Sequence, residues 1–243
     1  MKKVFFTDLD STIICSQEPE EFGICVAMKN GKKASFMYND TYNKFIKITE
    51  KINIVPITTR CEKSYNNIYL KKFFKYALVD NGAILISEDK SLCNEWIKES
   101  RKIIKDDVDN FEAIRNIIEK YGYKEKWGSE FVLDYVNTDT NENVIEKIKE
   151  EIKNLSDNLL INIGKTSIVV TYNKLSKGEN IYRLAKKLNL NLWLSAGDNK
   201  EDESMFKKTK LSIGKNNATF NFPISDKLTF CSTVIDKVYT LIM

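Results

Sequence analysis

Five short apolar runs recur along the chain, and most of them break on a polar residue. Val4-Phe5-Phe6 stops at Asp8, and Ile52 to Ile57 stops at Thr58-Thr59-Arg60. Tyr76 to Val79 stops at Asp80-Asn81-Gly82, and Leu192 to Ala196 stops at Gly197-Asp198. Leu211 to Ile213 is the fifth. Runs this short and continuous read as strands buried on both faces, the pattern of a parallel sheet. Helical stretches follow them, at about 41–51, 62–73, 178–188, 202–208 and 231–242. In 178–188, Ile181, Leu184, Ala185 and Leu188 share one face. Strands alternating with helices predict an α/β fold, a doubly wound parallel sheet with helices on both faces.

Two segments interrupt this rhythm. Residues 24–28 and 33–38 flank Lys29-Asn30-Gly31-Lys32, an Asn-Gly hairpin signal. From about residue 87 the texture changes to long charged helices, at 91–105 and 109–121. A strand at 131–136, an amphipathic helix at 141–155 and strands at 159–163 and 167–171 follow. Val144, Ile145, Ile148, Ile152 and Leu155 line that amphipathic helix. This α+β unit predicts a discontinuous core, 1–86 plus 172–243, with an inserted domain at 87–171. The loop near 123–130, with Trp127, and Trp96 are candidate ligand contacts in the insert; packing inside it explains both tryptophans equally well.

The 243 residues contain no histidine, which removes histidine triads, histidine acid–base chemistry and histidine-ligated metals. Chemistry must come from carboxylates, lysine, hydroxyls or thiols. Five scattered cysteines without a CxxC pair argue against a zinc ribbon or a disulfide scaffold and suit a reducing cytoplasm. A net charge of +4 does not argue for nucleic acid. No run approaches the ~20 apolar residues of a membrane helix. Two lysines precede the first apolar run, but Asp8 and Asp10 end it too early for a signal peptide.

In an open parallel sheet, ligands bind beyond the carboxyl ends of the strands. The polar residues there are Asp8, Asp10, Thr58, Asn81, Asp198 and Asp202, with Lys177 before a helix start. Clustered carboxylates repel unless a cation neutralises them. Few hard oxygen ligands suit Mg²⁺, which also accepts a phosphate. A carboxylate can attack phosphorus, and a second, two residues on, can exchange the proton. Each piece alone has a plain structural explanation, as a turn, an N-cap or a solvated lysine. Their joint occurrence at strand ends is what points to chemistry.

Asp8-Leu9-Asp10-Ser11-Thr12, Thr58 after Ile54–Ile57, Lys177-Gly178, and Gly197-Asp198 through Asp202 resemble the four motifs of the haloacid dehalogenase superfamily of phosphatases. Asn81-Gly82-Ala83 and the insert at 87–171 resemble the members with an α/β cap of the Cof and sucrose-phosphatase type. The resemblance implies Asp8 as nucleophile and metal ligand, and Asp10 as general acid/base whose main-chain carbonyl also reaches the metal. Thr58 and Lys177 would bind the phosphoryl group, with Thr59, Arg60 and Asn81 beside the substrate. Asp198 would complete the Mg²⁺ site, supported by Asn199, Glu201 and Asp202.

Three positions depart from the family pattern. Ser11 replaces a glycine, which is harmless only if the position avoids positive φ. Thr59 also replaces a glycine, and Glu201, in place of asparagine, adds charge near the metal. The expected function is Mg²⁺-dependent hydrolysis of a small phosphorylated metabolite, with sugar phosphates as candidates. A phosphomutase of the phosphomannomutase type and a non-catalytic binding protein are the alternatives. Neither nucleic acid nor membrane is an expected partner, and oligomeric state is open.

Overall fold

A computed structural model of the protein describes residues 3–21, 23–155 and 157–243. The chain divides into two compact units, Met1–Cys93 with Lys177–Met243, and Asn94–Ser176. Both divisions fall a few residues later than the expected 87 and 171, at Asn94 and Ser176.

The first unit opens with β1 (Lys3–Thr7), then the hairpin β2 (Gly23–Lys29) and β3 (Lys32–Tyr38). The hairpin turn forms as its Asn-Gly signal predicts: Asn30 and Gly31 both take positive φ, 51° and 74°. Helix α1 (Asn39–Lys51), β4 (Asn53–Pro56), α2 (Glu62–Tyr65), β5 (Ala77–Val79) and β6 (Ile84–Ile86) follow. The helix predicted over 62–73 is instead two pieces, α2 and a 3₁₀ turn at Tyr69–Phe73. The break is Ile68, extended at φ −89°, ψ 124° and fully buried, where it pairs with Ala27 of the hairpin. A tertiary contact has overridden helix propensity there.

The second unit holds α3 (Asn94–Ile104), α4 (Val108–Lys120), β7 (Lys124–Gly128), β8 (Val132–Val136), α5 (Glu142–Ile152), β9 (Leu159–Ile163) and β10 (Ser167–Tyr172). Its four strands form an antiparallel sheet in the order β7-β8-β10-β9. Strand β7, Lys-Glu-Lys-Trp-Gly, occupies the stretch predicted as a loop. It is a largely exposed edge strand whose charged residues hide its strand character. Trp96 of α3 is fully buried, while Trp127 is half-buried opposite Asp134.

The chain then returns to the first unit with α6 (Lys177–Leu188), β11 (Asn191–Ala196), α7 (Glu203–Phe206), β12 (Leu211–Gly214), β13 (Phe220–Asn221) and α8 (Lys227–Ile242). The central sheet has the order β13-β12-β11-β1-β4, and every pairing in it is parallel. The sheet is the parallel α/β layer that the apolar runs imply, except that the Tyr76–Val79 run is not one of its strands: β5 pairs antiparallel with β6 and is joined to the chain after β4 by the isolated Ile57–Leu78 bridge. Phe5, Ile54, Leu194 and Ile213 form one core with Phe45 and Ile48 of α1 and Phe230 and Val234 of α8. Val4, Phe6 and Val55 alternate to the opposite face and are equally buried. Helix α6 packs on β11. With both faces covered, the polar residues beyond the strand ends are the part of the sheet left for ligands.

Candidate active site

Strands β1 and β11 run side by side, with Thr7 level with Ala196. The chain leaving β1 therefore meets the chain leaving β11: the Asp8 amide donates to the Ala196 carbonyl at 3.0 Å. That register brings Asp8 and Asp198 together although 190 positions separate them in sequence. Carboxylate oxygens of Asp8, Asp198 and Asp202 lie within 4.8 Å of one another.

Lys177, at the start of α6, threads between two of these acids. Its ammonium donates to Asp8 Oδ1 at 2.7 Å and to Asp202 Oδ1 at 2.6 Å, and its side chain is only 4% exposed. Burial opposes its charge, yet Asp202 and Asp8 hold its pKa above the ordinary lysine value, so it stays protonated. Asp202 is fixed from the other side by the Asn199 amide, which donates to its Oδ2 at 3.0 Å. Gly197 lets Asp202 approach: a Cβ at 197 would stand 2.1 Å from the Asp202 Cβ.

Burial raises the pKa of Asp8 well above its ordinary value. Lys177 opposes that rise, while Asp202 and Asp198 add to it. Asp198 is also raised, first by burial and then by Asp202, with Lys215 and Lys177 pulling it down. Three crowded carboxylates beside two ammonium groups retain an unmet demand for positive charge. Hard oxygen donors in that arrangement fit a divalent cation of the magnesium kind.

Asp10 stands apart. Its carboxylate does not belong to the three-acid cluster; its side chain is 51% exposed and grips Arg60. Arg60 Nε donates to Oδ2 and Nη2 to Oδ1, both at 2.6 Å, a bidentate pair. Burial works against the charge of Arg60, but Asp10 holds its pKa up. Thr58 is buried and anchored by its main chain, donating to Leu78 O at 3.0 Å and accepting from the Asn81 amide at 2.8 Å. Its hydroxyl oxygen accepts from the Arg60 amide at 3.1 Å, which leaves its proton free to donate to a ligand.

Asn81 is buried and serves the turn after β5, at φ 57°, with its carbonyl held by Asn180 Nδ2 at 3.1 Å. Thr59 is half-buried, Asn199 is exposed with its Nδ2 on Asp198 Oδ1 at 3.1 Å, and Glu201 lies outside the acid cluster.

Ser11 does adopt positive φ, 61°, so the tolerance expected of it fails. The position is left-handed because the chain curls back at once, the Ser11 amide donating to Ile14 O at 2.7 Å. Serine there costs about 1–2 kcal/mol relative to glycine.

Two further residues reach the acid cluster. Thr12 is fully buried, and its hydroxyl reaches Asp8 Oδ2 and Asp198 Oδ1, each at 3.3 Å. Lys215 lies 3.5 Å from Asp198 Oδ2. Thr12 was visible as the last residue of the Asp-x-Asp-x-Thr run, four positions after Asp8. Nothing in the sequence marked Lys215.

A parallel α/β sheet, acids from two neighbouring strand ends and a buried lysine from the helix that leads into β11 define the class. The chain belongs to the haloacid dehalogenase-like hydrolase family, whose profile matches residues 34–223. That stretch includes Thr58, Lys177, Asp198 and Asp202 but not Asp8 or Asp10, so the first two acids rest on the geometry above. Among solved structures, the chain resembles the HAD subclass IIB sugar phosphatase BT4131. The TM-score is 0.65 at 13% identity, over 99% of this chain and 100% of that one. It also resembles the sucrose-phosphatase of Synechocystis sp. PCC6803, solved with sucrose and phosphate. There the TM-score is 0.61 at 14% identity, over 89% of this chain and 84% of that one. At such identities these likenesses show the fold. A curated relative, the EKC/KEOPS complex subunit CGI121 of Candida albicans, is 25% identical over 177 residues, 68% of this chain and 82% of its own length. Among the described residues, no helix is long and apolar enough to cross a membrane.

Proposed function

We propose that the protein is a Mg²⁺-dependent phosphatase that hydrolyses a phosphomonoester of a small metabolite, a sugar phosphate in class, through an aspartyl-phosphate on Asp8. The observation that carries this reading is the Asp8–Lys177–Asp202 bridge beside Asp198: a buried carboxylate held in one orientation by a buried cation, next to two further acids. The sugar class is supported by the likeness to sugar phosphatases in fold and in the α+β insert.

Asp8, Asp198 and Asp202 would hold the cation, and when bound it would neutralise the acids and the phosphoryl oxygens. Lys177 fixes Asp8 Oδ1, while among the described residues Oδ2 has only the long Thr12 contact. An oxygen of Asp8 attacks phosphorus, and the bond from phosphorus to the leaving oxygen breaks. Asp10, exposed where Asp8 is buried, gives that oxygen a proton. It then takes a proton from the water that attacks the aspartyl-phosphate, releasing inorganic phosphate and restoring Asp8. Arg60 sets the orientation of Asp10. Thr58 and Lys177 donate to the phosphoryl oxygens. Phosphoryl transfer asks mainly for this positioning and charge neutralisation.

The test is a screen of phosphorylated metabolites, sugar phosphates foremost, with Mg²⁺, reading inorganic phosphate. Wild type should turn over at least one substrate, EDTA should stop it, and Asp8→Asn should release none. Equal turnover by Asp8→Asn would refute the reading.

A further inference from the structure

Strands β11 and β12 are parallel neighbours with Ala196 level with Ile213, and the Gly197 amide donates to Ile213 O at 3.1 Å. Two residues beyond these partners stand Asp198 and Lys215, so the register alone places them side by side. The ammonium of Lys215 lies 3.5 Å from Asp198 Oδ2, and its side chain is 23% exposed against 5% for the acid. The ammonium also lies over the Phe230 ring, 5.2 Å from its centroid. The opposite oxygen of Asp198 is occupied by Thr12 and Asn199. Phosphoryl binding is already served by Lys177 and Thr58, and the mechanism above gives Lys215 no part.

We propose that Lys215 is a positioning residue and resident counter-ion of Asp198, which weakens the hold of the three-acid cluster on its divalent cation and keeps that cation exchangeable. This rests on the metal site in the functional reading above. An incoming cation meets a like charge already paired with one of its ligands, so affinity falls. The same ammonium adds positive charge beside the site that receives a phosphate dianion. Removing the charge should therefore move the two affinities in opposite directions. A residue that merely held Asp198 in place would, when removed, weaken both.

Calorimetric titration of the full-length protein with Mg²⁺, without substrate, tests this, with inorganic phosphate titrated afterwards into the Mg²⁺-loaded protein. Lys215→Met keeps the stem over Phe230 and removes the charge; Lys215→Arg keeps the charge. Lys215→Met should bind Mg²⁺ about tenfold more tightly and phosphate several-fold more weakly, an effect of the size expected for one charge removed near a divalent ion. Lys215→Arg should stay close to wild type. Unchanged or weaker Mg²⁺ binding by Lys215→Met overturns the proposal while leaving the metal site standing. Absence of Mg²⁺ binding in wild type and both variants overturns the metal site itself, and this proposal with it.

Discussion

Replacing Lys177 with methionine removes the cation that two buried acids share. Lys177 is 4% exposed, and its partners Asp8 and Asp202 are 8% and 0% exposed. Taking one partner from a buried ion pair costs about 3–5 kcal/mol, because the charge left behind has no water to return to. In a chain of this size each kcal/mol moves Tm by about 2–4 °C, so Lys177→Met should melt roughly 6–20 °C below wild type near neutral pH. The deficit should depend on pH. Burial already raises the pKa of Asp8, and Lys177 is the largest influence lowering it, so the variant's Asp8 rises further. A carboxyl with a raised folded-state pKa binds its proton more tightly in the folded chain. It favours folding below its ordinary 3.8, and the benefit is lost as pH climbs through the folded pKa. The variant should therefore recover part of its deficit on acidification. Thermal melts of the metal-free protein by circular dichroism, at neutral and mildly acidic pH, check both statements. A Tm within about 2 °C of wild type at neutral pH, or a deficit that widens as pH falls, would contradict the bridge.

Four other outcomes follow from the same geometry. Asp10→Asn should slow turnover by about 10²–10⁴-fold while leaving Mg²⁺ affinity unchanged in calorimetry, because its carboxylate stands outside the acid cluster. Thr12→Val should cost about 1–3 kcal/mol in urea unfolding, since it strips a hydroxyl from two buried acids. Gly178→Ala should destabilise by roughly 1–3 kcal/mol in the same assay, because its Cβ would meet the Ser204 carbonyl oxygen at 2.1 Å, where backbone faces backbone. Mg²⁺ should raise Tm more at neutral pH than at mildly acidic pH, because the raised carboxyls of Asp8 and Asp198 must lose their protons to bind it.

Much of the core was legible because strand ends in a parallel sheet announce themselves. Asp8, Thr58 and Asp198 each close an apolar run, and Lys177 opens a periodic helix. Their convergence follows once β1 and β11 are adjacent. What escaped depends on contacts that no local pattern records. Ile68 sits in a stretch with helical periodicity but is pulled straight by pairing with Ala27. Strand β7 is built from lysine and glutamate, residues that strands avoid, and exists because β8 offers it an edge. Lys215 joins the site only through the β11–β12 register. Asp202, read as a support, lies inside the acid cluster because Gly197 lets it come close. Asp10 and Arg60 were both marked as site residues, but their bidentate pairing spans 50 positions and could not be read from either motif.

The central claim is that Asp8 itself takes the phosphoryl group. Acid-quenched single turnover of para-nitrophenyl phosphate with Mg²⁺, followed by peptide mass spectrometry, measures this directly, and Asp10→Asn can be used to slow release. One added phosphoryl group on the peptide bearing Asp8, lost in Asp8→Asn, is the expected result. A protein that turns over substrate with no label on that peptide, or with label on another residue, would contradict the account.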